Sequence, residues 1–353
     1  MKKQKTIRIG SRAVGEGHPV FIIAEAGVNH NGSLALAKKL VDAAKAAGAD
    51  AVKFQNFKAE EVTTASAGMA AYQKRNTGKS ESQIDMIRKF ELKDRDFKVI
   101  SAYCNKRGIT FLSAPHSGFG SVDLLVSLKV PAFKFGSADL NNLPVLAYAA
   151  RFKKPMIIST GMADMRDLAE AVAVIRKAGN TKIIVFQCTT DYPAQLRDVN
   201  LRAMRTIRDS FRVVVGYSDH TVGIESSLVA VALGASVLEK HLTLNNAMSG
   251  PDHKASADPK DFKRYVQEVR DAEIILGSPK KMIAASARPY MPLVLKSVVA
   301  RKPIRKGEKL TKENLAIKRP GSGLPPKFYF SMVGKRATRD LKPDDFIKKN
   351  DYA

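Results

Sequence analysis

Two histidines stand where the sequence predicts the ends of neighbouring strands. His220 follows one short apolar segment, and His241 ends the next. Two imidazoles brought together in this way can share one divalent metal ion. Two hydrogen-bonded histidines in a polar cleft are the alternative. Asp219 and Glu239 lie beside them in the sequence and could orient the rings or hold a metal-bound water.

Lysines, glutamates and serines end or follow the other apolar segments. Lys53 and Lys134 could each form a Schiff base, bind a phosphate or carboxylate as a point charge, or pair with Glu25 or Glu239. Two lysines accompanied by several serines favour an anion-binding site over a single activated amine. The serines are Ser137, Ser159 and Ser218.

The elements that must position these residues are eight short apolar segments separated by stretches of helix length. Continuous apolar runs of this kind are typical of buried parallel strands. Eight such units in about 240 residues predict a TIM (β/α)8 barrel, whose active site lies at the carboxyl ends of the strands. The segments are Val20–Glu25, Ala51–Gln55, Thr110–Ser113, Ala132–Ser137, Met156–Thr160, Ile183–Cys188, Val213–Ser218 and Ser236–His241.

The remaining chain predicts a domain organisation in three parts. Residues 1–277 form the barrel domain, which begins with an N-terminal hairpin or arm within residues 1–19. Residues 278–294 carry three prolines and read as a linker. Residues 295–353 have the short strands and tight turns of a small domain, with 16 Lys plus Arg against 6 Asp plus Glu.

Composition restricts the classes of function. A formal net charge of +25 could indicate nucleic acid, an anionic membrane or anionic small substrates as partners. No zinc-finger spacing, arginine-rich tract or RNA-binding aromatic signature is present, so we expect no specific nucleic-acid binding. No apolar run reaches the roughly 18 residues of a membrane helix, and we expect a cytoplasmic protein. Cys104 and Cys188 predict buried, small apolar side chains rather than a disulfide.

Several short motifs, in order along nearly the whole chain, resemble those of the bacterial sialic acid synthase family. This family includes the N-acetylneuraminate, legionaminate and pseudaminate synthases. The motifs are Phe21–Glu25 with Asn29–Gly32, Val52–Gln55, Tyr72–Gly78, Lys134–Ser137, Ser159–Met162, Cys188–Pro193, Ser218–His220, Glu239–His241, Gly250–Asp252 and Lys318–Gly321.

The resemblance implies a reaction and a second domain. The family condenses phosphoenolpyruvate with an N-acetylated hexosamine and water, giving a nine-carbon 2-keto acid and phosphate by C–O cleavage. Its barrel is followed by an antifreeze-like (SAF, β-clip) domain, and two chains form a domain-swapped homodimer. The acceptor is N-acetylmannosamine or a 2,4-diacetamido-trideoxyhexose, which the sequence does not distinguish.

The resemblance also implies residue roles. His220 and His241 would hold Mn²⁺ or Mg²⁺, which polarises the aldehyde, and Glu25 or Glu239 would transfer protons. Arg319 would contact the sugar of the partner subunit's barrel. The further implied substrate contacts are Gln55, Asn76, Thr190, Tyr192 and Asp252, in addition to Lys53, Lys134, Ser137, Ser159 and Ser218.

Two departures from the family pattern and two alternative functions stay open at the level of sequence. Ala114 and His116 replace the threonine and phenylalanine of a family Ser–Thr–Pro–Phe motif, and Ser322 replaces the asparagine of a Gly–Asn–Gly loop. A Schiff-base pyruvate aldolase would use Lys53 or Lys134 as its nucleophile. A non-enzymatic module binding polyanions through its basic tail is the other alternative.

Overall fold

The computed structural model describes residues 6–78 and 81–353. The chain divides into two compact units at Gly277. Among the described residues, no helix combines the length and the apolar character needed to cross a membrane.

The first unit is an eight-stranded parallel barrel preceded by a two-stranded antiparallel hairpin. The hairpin strands are β1 (Ile7–Ile9) and β2 (Arg12–Val14), and the barrel strands are β3 (Phe21–Gly27), β4 (Ala51–Asn56), β5 (Thr110–Pro115), β6 (Phe133–Phe135), β7 (Met156–Ser159), β8 (Ile183–Cys188), β9 (Val214–Asp219) and β10 (Val237–His241). Hydrogen bonds join the barrel strands in the order β5-β4-β3-β10-β9-β8-β7-β6. The predicted TIM barrel is therefore confirmed.

Helices connect the strands and cover the outside of the barrel. The first of them begins after Ser33, whose hydroxyl accepts from the amide of Leu36, and ends at Gly48 in a left-handed conformation. In the first unit the helices are α1 (Leu34–Ala47), α2 (Ala59–Val62), α3 (Ala71–Thr77), α4 (Gln83–Arg88), α5 (Asp94–Arg107), α6 (Gly118–Ser127), α7 (Leu143–Ala150), α8 (Met165–Lys177), α9 (Ala203–Phe211), α10 (Glu225–Ala232) and α11 (Pro259–Leu276).

The apolar periodicity predicts one helix over 83–106, and this prediction is wrong because the chain forms two helices there. The first ends at Arg88, and the second begins at Asp94. The carboxylate of Asp96 accepts from the amide of Lys93, which fixes the start of α5. Phe90, in the break, is nevertheless buried.

Side chains alternate along each strand between the interior of the barrel and the layer beneath the helices. At the amino ends of the strands the interior row is apolar, and the hairpin residues Ile7, Ile9 and Val14 pack into the same cluster. The hairpin therefore closes this end of the barrel. The barrel members of the cluster are Phe21, Ile23, Ala51, Leu112, Ala132, Ile157, Ile184, Phe186, Val214 and Val237.

The second unit has its own core around an antiparallel pair, β11 (Ser297–Ala300) and β12 (Leu315–Lys318). Two short helices, α12 (Met291–Val294) and α13 (Tyr329–Met332), belong to it. The segment that the sequence predicts to be a linker contains α12 and a 3-10 helix, Ala285–Tyr290. The core residues are Val298, Ala300, Ile304, Leu310, Leu315, Met332, Ala337, Leu341 and Ile347.

Candidate active site

The interior row of each strand changes from apolar to polar toward the carboxyl end of the barrel. On β3, for example, Phe21 and Ile23 are followed on the same face by Glu25. Because side chains two positions apart share a face, these polar groups converge at the mouth. They line a cavity of about 390 Å³. The predicted site residues that border it are Glu25, Lys53, Gln55, Lys134, Ser137, Ser159, Thr190, Tyr192, Ser218, His220, Glu239, His241 and Asp252.

Two lysines and two glutamates form a buried ion-pair network at the centre of this cavity. The ammonium of Lys53 lies 3.3 Å from an oxygen of Glu25 and 3.3 Å from an oxygen of Glu239. The ammonium of Lys134 lies 3.3 Å from the same Glu239 oxygen. The Ser218 hydroxyl donates to that oxygen as well, at 3.1 Å. The ion pairs considered in the sequence analysis are therefore present, inside the cavity.

The two glutamates have opposite pKa shifts. Burial raises the pKa of Glu25 to about 7, against the lowering effect of Lys53. Burial also opposes ionisation of Glu239, but Lys134 and Lys53 outweigh it and lower the pKa of Glu239 well below its usual value. A carboxyl group with a pKa near neutrality can both accept and donate a proton at physiological pH. Glu25 has this property, and Glu239 acts as a fixed negative charge.

The two histidines lie next to each other, with ring centroids 5.5 Å apart. The Nδ1–H of His220 donates to the carbonyl oxygen of Thr189 at 2.7 Å, and Nε2 of the same ring lies 3.5 Å from the Ser218 hydroxyl. Nδ1 of His241 is buried without a hydrogen-bond partner in the described chain. Burial, and then the neighbouring His220, lower the pKa of His241 well below its usual value. Burial opposes the charged form of His220, but Cys188 and the Thr189 carbonyl outweigh it and raise the pKa of this ring. The neutral form of an imidazole is the one that offers a lone pair to a divalent cation, and His241 is held in that form.

These two histidines therefore fit a metal ion with few protein ligands. Within residues 6–78 and 81–353, no group of three or more His, Cys, Asp or Glu side chains has an arrangement able to hold a metal. An ion bound by two imidazoles would keep other coordination positions for water or substrate. A backbone carbonyl that fixes the tautomer of a ligating histidine is a common feature of such sites, and Thr189 supplies one.

Several other polar atoms in the cavity are buried and have no hydrogen-bond partner in the described chain. Buried polar groups in folded proteins are almost always paired, because an unpaired one loses its hydration without compensation. A polar ligand in the cavity would pair with these atoms. They are Oγ of Ser159, Oγ1 of Thr190, Oε2 of Glu239 and Nδ1 of His241.

Tyr192 and Asp252 form a side of the cavity next to the histidines. The ring of Tyr192 packs on His220 with centroids 4.2 Å apart and meets His241 edge-on at 5.5 Å. Asp252 lies with an oxygen 4.0 Å from Nδ1 of His241. Burial raises the pKa of Asp252 to about 6.

Two of the predicted site residues do not border the cavity. The side-chain amide of Asn76 donates to the backbone carbonyls of Pro251, at 2.7 Å, and Tyr192, at 3.3 Å. Asn76 therefore connects the loops that carry Tyr192 and Asp252. Arg319 belongs to the second unit.

The structure also shows site residues that the sequence analysis missed. Cys188 borders the cavity, with its sulfur 3.8 Å from Nδ1 of His220. Burial alone would raise the pKa of its thiol, but His220 lowers it below the usual value. His116 also borders the cavity. Counting in steps of two from the apolar interior residues, such as Phe186 on β8 and Leu112 on β5, identifies both positions as inward-facing.

Asp219 does not have the role expected of it. It faces away from the cavity and accepts hydrogen bonds from Thr221, Ser227 and Lys240. Among the described residues it makes no hydrogen bond to either histidine.

Comparison with known proteins identifies the family. The chain matches the model of the NeuB family over residues 40–281 and that of the SAF domain over residues 296–353. The chain belongs to the NeuB family. The resemblance indicated by the motifs is thus confirmed, as is the SAF domain, and the protein is an enzyme of the synthase type. Synthases of this family typically use a metal ion.

The similarity to named relatives and to a solved structure extends over almost the whole chain. The chain is 44% identical to an N,N'-diacetyllegionaminic acid synthase of Legionella pneumophila, covering 94% of both proteins. It is 39% identical to the human N-acetylneuraminate-9-phosphate synthase, over 95% of this chain and 93% of that protein. A spore coat polysaccharide biosynthesis protein of Bacillus subtilis is 34% identical, with a TM-score of 0.66 and 99% of both chains covered.

Proposed function

We propose that this protein condenses phosphoenolpyruvate with the open-chain aldehyde of an N-acetylated hexosamine and with water, giving a nine-carbon 2-keto acid and free phosphate. The observation that carries the proposal is the set of unpartnered buried polar atoms that surrounds two lysines and two histidines. The phosphate and carboxylate oxygens of phosphoenolpyruvate accept from the Ser159 and Thr190 hydroxyls, whereas a sugar hydroxyl or water donates to Oε2 of Glu239.

The protein groups divide the work by charge and hydrogen-bonding capacity. Lys53 and Lys134, together with the nearby serines, hold the phosphate and carboxylate of phosphoenolpyruvate. The enol carbon attacks the aldehyde carbon, water adds to C2, and the C2–O bond to the phosphate then breaks. Glu25 moves protons in these steps, because its pKa of about 7 lies near the working pH.

We also propose that His220 and His241 hold the metal ion, Mn²⁺ or Mg²⁺. When bound, such an ion supplies Lewis-acid polarisation of the aldehyde oxygen. The support is the closeness of the two rings, the Thr189 carbonyl that fixes the proton on Nδ1 of His220, and the unpartnered Nδ1 of His241.

The position of bond cleavage can be tested directly by running the reaction in ¹⁸O-labelled water. Label in the keto acid supports C–O cleavage, whereas label in the phosphate contradicts it.

The acceptor is tested with a panel of N-acetylmannosamine and the 2,4-diacetamido-trideoxyhexoses, with mass spectrometry of each product. Failure of every hexosamine to give a nine-carbon acid would refute the proposed function.

The aldolase alternative is not favoured by the relatives described above, which are named as synthases. Treatment with borohydride in the presence of pyruvate tests for an aldolase, since reduction of an imine on Lys53 or Lys134 would leave a covalent adduct.

The other alternative is a polyanion-binding module. Such a module would keep its function in a His220→Ala variant and would bind polyanions with a steep salt dependence.

We further propose a domain-swapped homodimer in which Arg319 donates to the acetamido oxygen of the sugar in the partner's barrel. The family resemblance and the donors of the guanidinium group support this. Mixing Arg319→Ala subunits with Glu25→Ala subunits tests it, because a mixed dimer would retain one complete site and regain activity. A mixture as inactive as both parents would contradict it. The cytoplasmic location stays a prediction.

A further inference from the structure

A histidine and an aspartate form a close pair on one side of the cavity. His116 directly follows β5, and Asp139 lies in the 3-10 helix Ser137–Asp139 that follows β6. Nδ1 of His116 is 2.7 Å from Oδ2 of Asp139. Both side chains are largely shielded from solvent. The pair therefore joins the ends of the two strands that terminate the hydrogen-bonded strand order.

The pair fits into the cavity because two neighbouring residues, Gly136 and Ala114, have no large side chain. A Cβ atom at Gly136 would lie 3.2 Å from Cε1 of His116 and 3.3 Å from Oδ2 of Asp139, closer than most real contacts. Ala114 lies two positions before His116 on the same face of β5 and also borders the cavity. The imidazole is thus placed next to a small side chain, within the volume that a substrate would enter.

The contact of Nδ1 with Asp139 affects which hydrogen bonds the other ring nitrogen of His116, Nε2, can form. Nδ1 of His116 lies 2.7 Å from Oδ2 of Asp139, and a carboxylate oxygen at this distance favours the form of the ring with a proton on Nδ1, because the carboxylate has no proton of its own to donate. Nε2 has no hydrogen-bond partner among the described residues. It belongs to a side chain that borders the same cavity as Lys134 and Ser137. A bound anionic ligand on the other side of the ring would favour a second proton on the imidazole, because opposite charges stabilise the charged form, and Nε2 would then donate to that ligand.

The charges in the cavity favour a further hydrogen-bond donor for an anionic ligand. Lys53 and Lys134 are each within 3.3 Å of a Glu239 oxygen, and Lys53 also contacts Glu25, so Glu239 and the ionised fraction of Glu25 offset part of the charge of the two ammonium groups. A ligand with both a phosphate and a carboxylate brings more negative charge than two lysines paired in this way can balance. A further charge-assisted donor would stabilise it.

We propose that His116, held by Asp139, donates a hydrogen bond from Nε2 to an anionic oxygen of phosphoenolpyruvate and so sets the affinity for this substrate. The inference rests on the proposed function and adds a substrate-binding residue to it. Asp139 is a positioning residue, because it acts through the imidazole. The anionic oxygen belongs either to the phosphate or to the carboxylate.

The test is calorimetric titration of phosphoenolpyruvate into the wild-type protein and into three variants. His116→Phe keeps a ring but removes the donor, His116→Gln keeps a donor, and Asp139→Asn removes the charge behind the imidazole. We expect His116→Phe to raise the Kd about tenfold or more, the size of a lost charge-assisted hydrogen bond. His116→Gln and Asp139→Asn should cause smaller increases. KM for the hexosamine and the affinity for Mn²⁺ should stay unchanged.

Inorganic phosphate and pyruvate, titrated separately, identify which anionic group is bound, since only one should lose affinity in His116→Phe. An unchanged Kd for phosphoenolpyruvate in His116→Phe overturns the inference. It is equally overturned if only the KM for the hexosamine changes, or if all affinities fall together with the melting temperature, as expected for a purely structural pair. Wild-type protein that does not bind phosphoenolpyruvate would instead refute the proposed function itself. If His116→Phe does not fold, His116→Gln and Asp139→Asn decide between these outcomes.

Discussion

The ammonium of Lys240 lies 3.0 Å from a carboxylate oxygen of Asp219, and each of these residues directly precedes one of the two cavity histidines. Both side chains are buried and face away from the cavity, into the layer beneath the helices. Lys240 also donates to the carbonyl of Thr221 at 2.9 Å, and Asp219 accepts from the Thr221 and Ser227 hydroxyls. The ion pair therefore joins the ends of β9 and β10 and fixes the spacing of the histidines.

Breaking this pair should reduce both stability and metal affinity. Lys240→Met leaves the Asp219 carboxylate buried without its cation, and we expect a loss of about 3–5 kcal/mol in the free energy of unfolding. The affinity for Mn²⁺ should fall about 10–100-fold, as for other residues that orient metal ligands. Denaturant unfolding and Mn²⁺ titration measure the two effects.

A double variant and a surface variant serve as controls for the Lys240 experiment. Lys240→Met with Asp219→Asn removes both charges, so it should recover part of the stability but not the metal affinity. Arg88→Met, which breaks an exposed ion pair with Glu60, should change neither quantity appreciably. Normal Mn²⁺ affinity in the single Lys240 variant would show that the spacing of the histidines does not depend on this ion pair.

The metal site itself should depend on His241. His241→Ala removes one of two imidazole ligands, and we expect both Mn²⁺ binding and turnover to be lost. His18→Ala, which alters the hairpin end of the barrel, is the matched control and should bind Mn²⁺ as the wild type does. Wild-type activity should disappear in chelator and return with Mn²⁺. Full activity in chelator would exclude a metal role for the two histidines.

Glu25 should make stability depend on pH in a definite direction. Its native pKa is raised from 4.5 to about 7, so the native state binds a proton that the unfolded state releases between these values. The stabilising effect of the protonated carboxyl is complete below pH 4.5 and is lost as the pH rises through 7. Glu25→Gln cannot ionise, so between pH 5 and pH 8 it should gain about 2–3 kcal/mol relative to the wild type.

Denaturant unfolding of the wild type and Glu25→Gln, both metal-free in chelator, measures this difference. The variant should also lack the carboxylic acid C=O stretching band that titrates near pH 7 in the wild type. A constant stability difference across this range would show that Glu25 is ionised throughout, and it would then be unable to transfer protons near neutral pH.

Much of the barrel could be predicted because its signals are local. Apolar runs ended by polar residues fix the strands, and β8 has the bounds of its predicted segment, Ile183–Cys188. The cap at Ser33 and the glycine at position 48 fix the bounds of α1 in the same way. The break between α4 and α5 could not be predicted from periodicity, since buried residues such as Phe90 continue across it.

The parts of the site that escaped prediction depend on contacts between distant segments. Asp219 and Glu239 look equivalent in sequence, but the alternation of side chains turns Glu239 into the cavity and Asp219 away from it. The contact of His116 with Asp139 requires two strand ends to meet across 23 positions of sequence. For Asn76 the sequence motif is recognisable, but the predicted substrate contact is not what the structure shows. Its side-chain amide donates to two backbone carbonyls instead.

The interior packing beneath the site gives a last prediction, on Gly216. Gly216 pairs with Phe186 on the neighbouring strand, and a Cβ atom there would lie 2.6 Å from Cε1 of Phe186 and would also meet the carbonyl oxygen of Val237. Gly216→Ala should therefore destabilise the barrel by about 1–3 kcal/mol in denaturant unfolding. Gly120→Ala, in α6 with no atom within 4 Å of the new methyl group, should be neutral or stabilising by up to about 1 kcal/mol.

The same substitution should affect phosphoenolpyruvate, because the ammonium of Lys134 lies 5.6 Å from the centre of the Phe186 ring. A methyl group that displaces this ring moves the surface on which Lys134 rests, so KM for phosphoenolpyruvate should rise in Gly216→Ala and not in Gly120→Ala. Adding Phe186→Leu to Gly216→Ala should relieve the steric conflict and recover part of the stability. If Gly216→Ala matched Gly120→Ala in both stability and KM, the Phe186 ring would not be confined by Gly216, and Lys134 would be positioned by its ion pair with Glu239 alone.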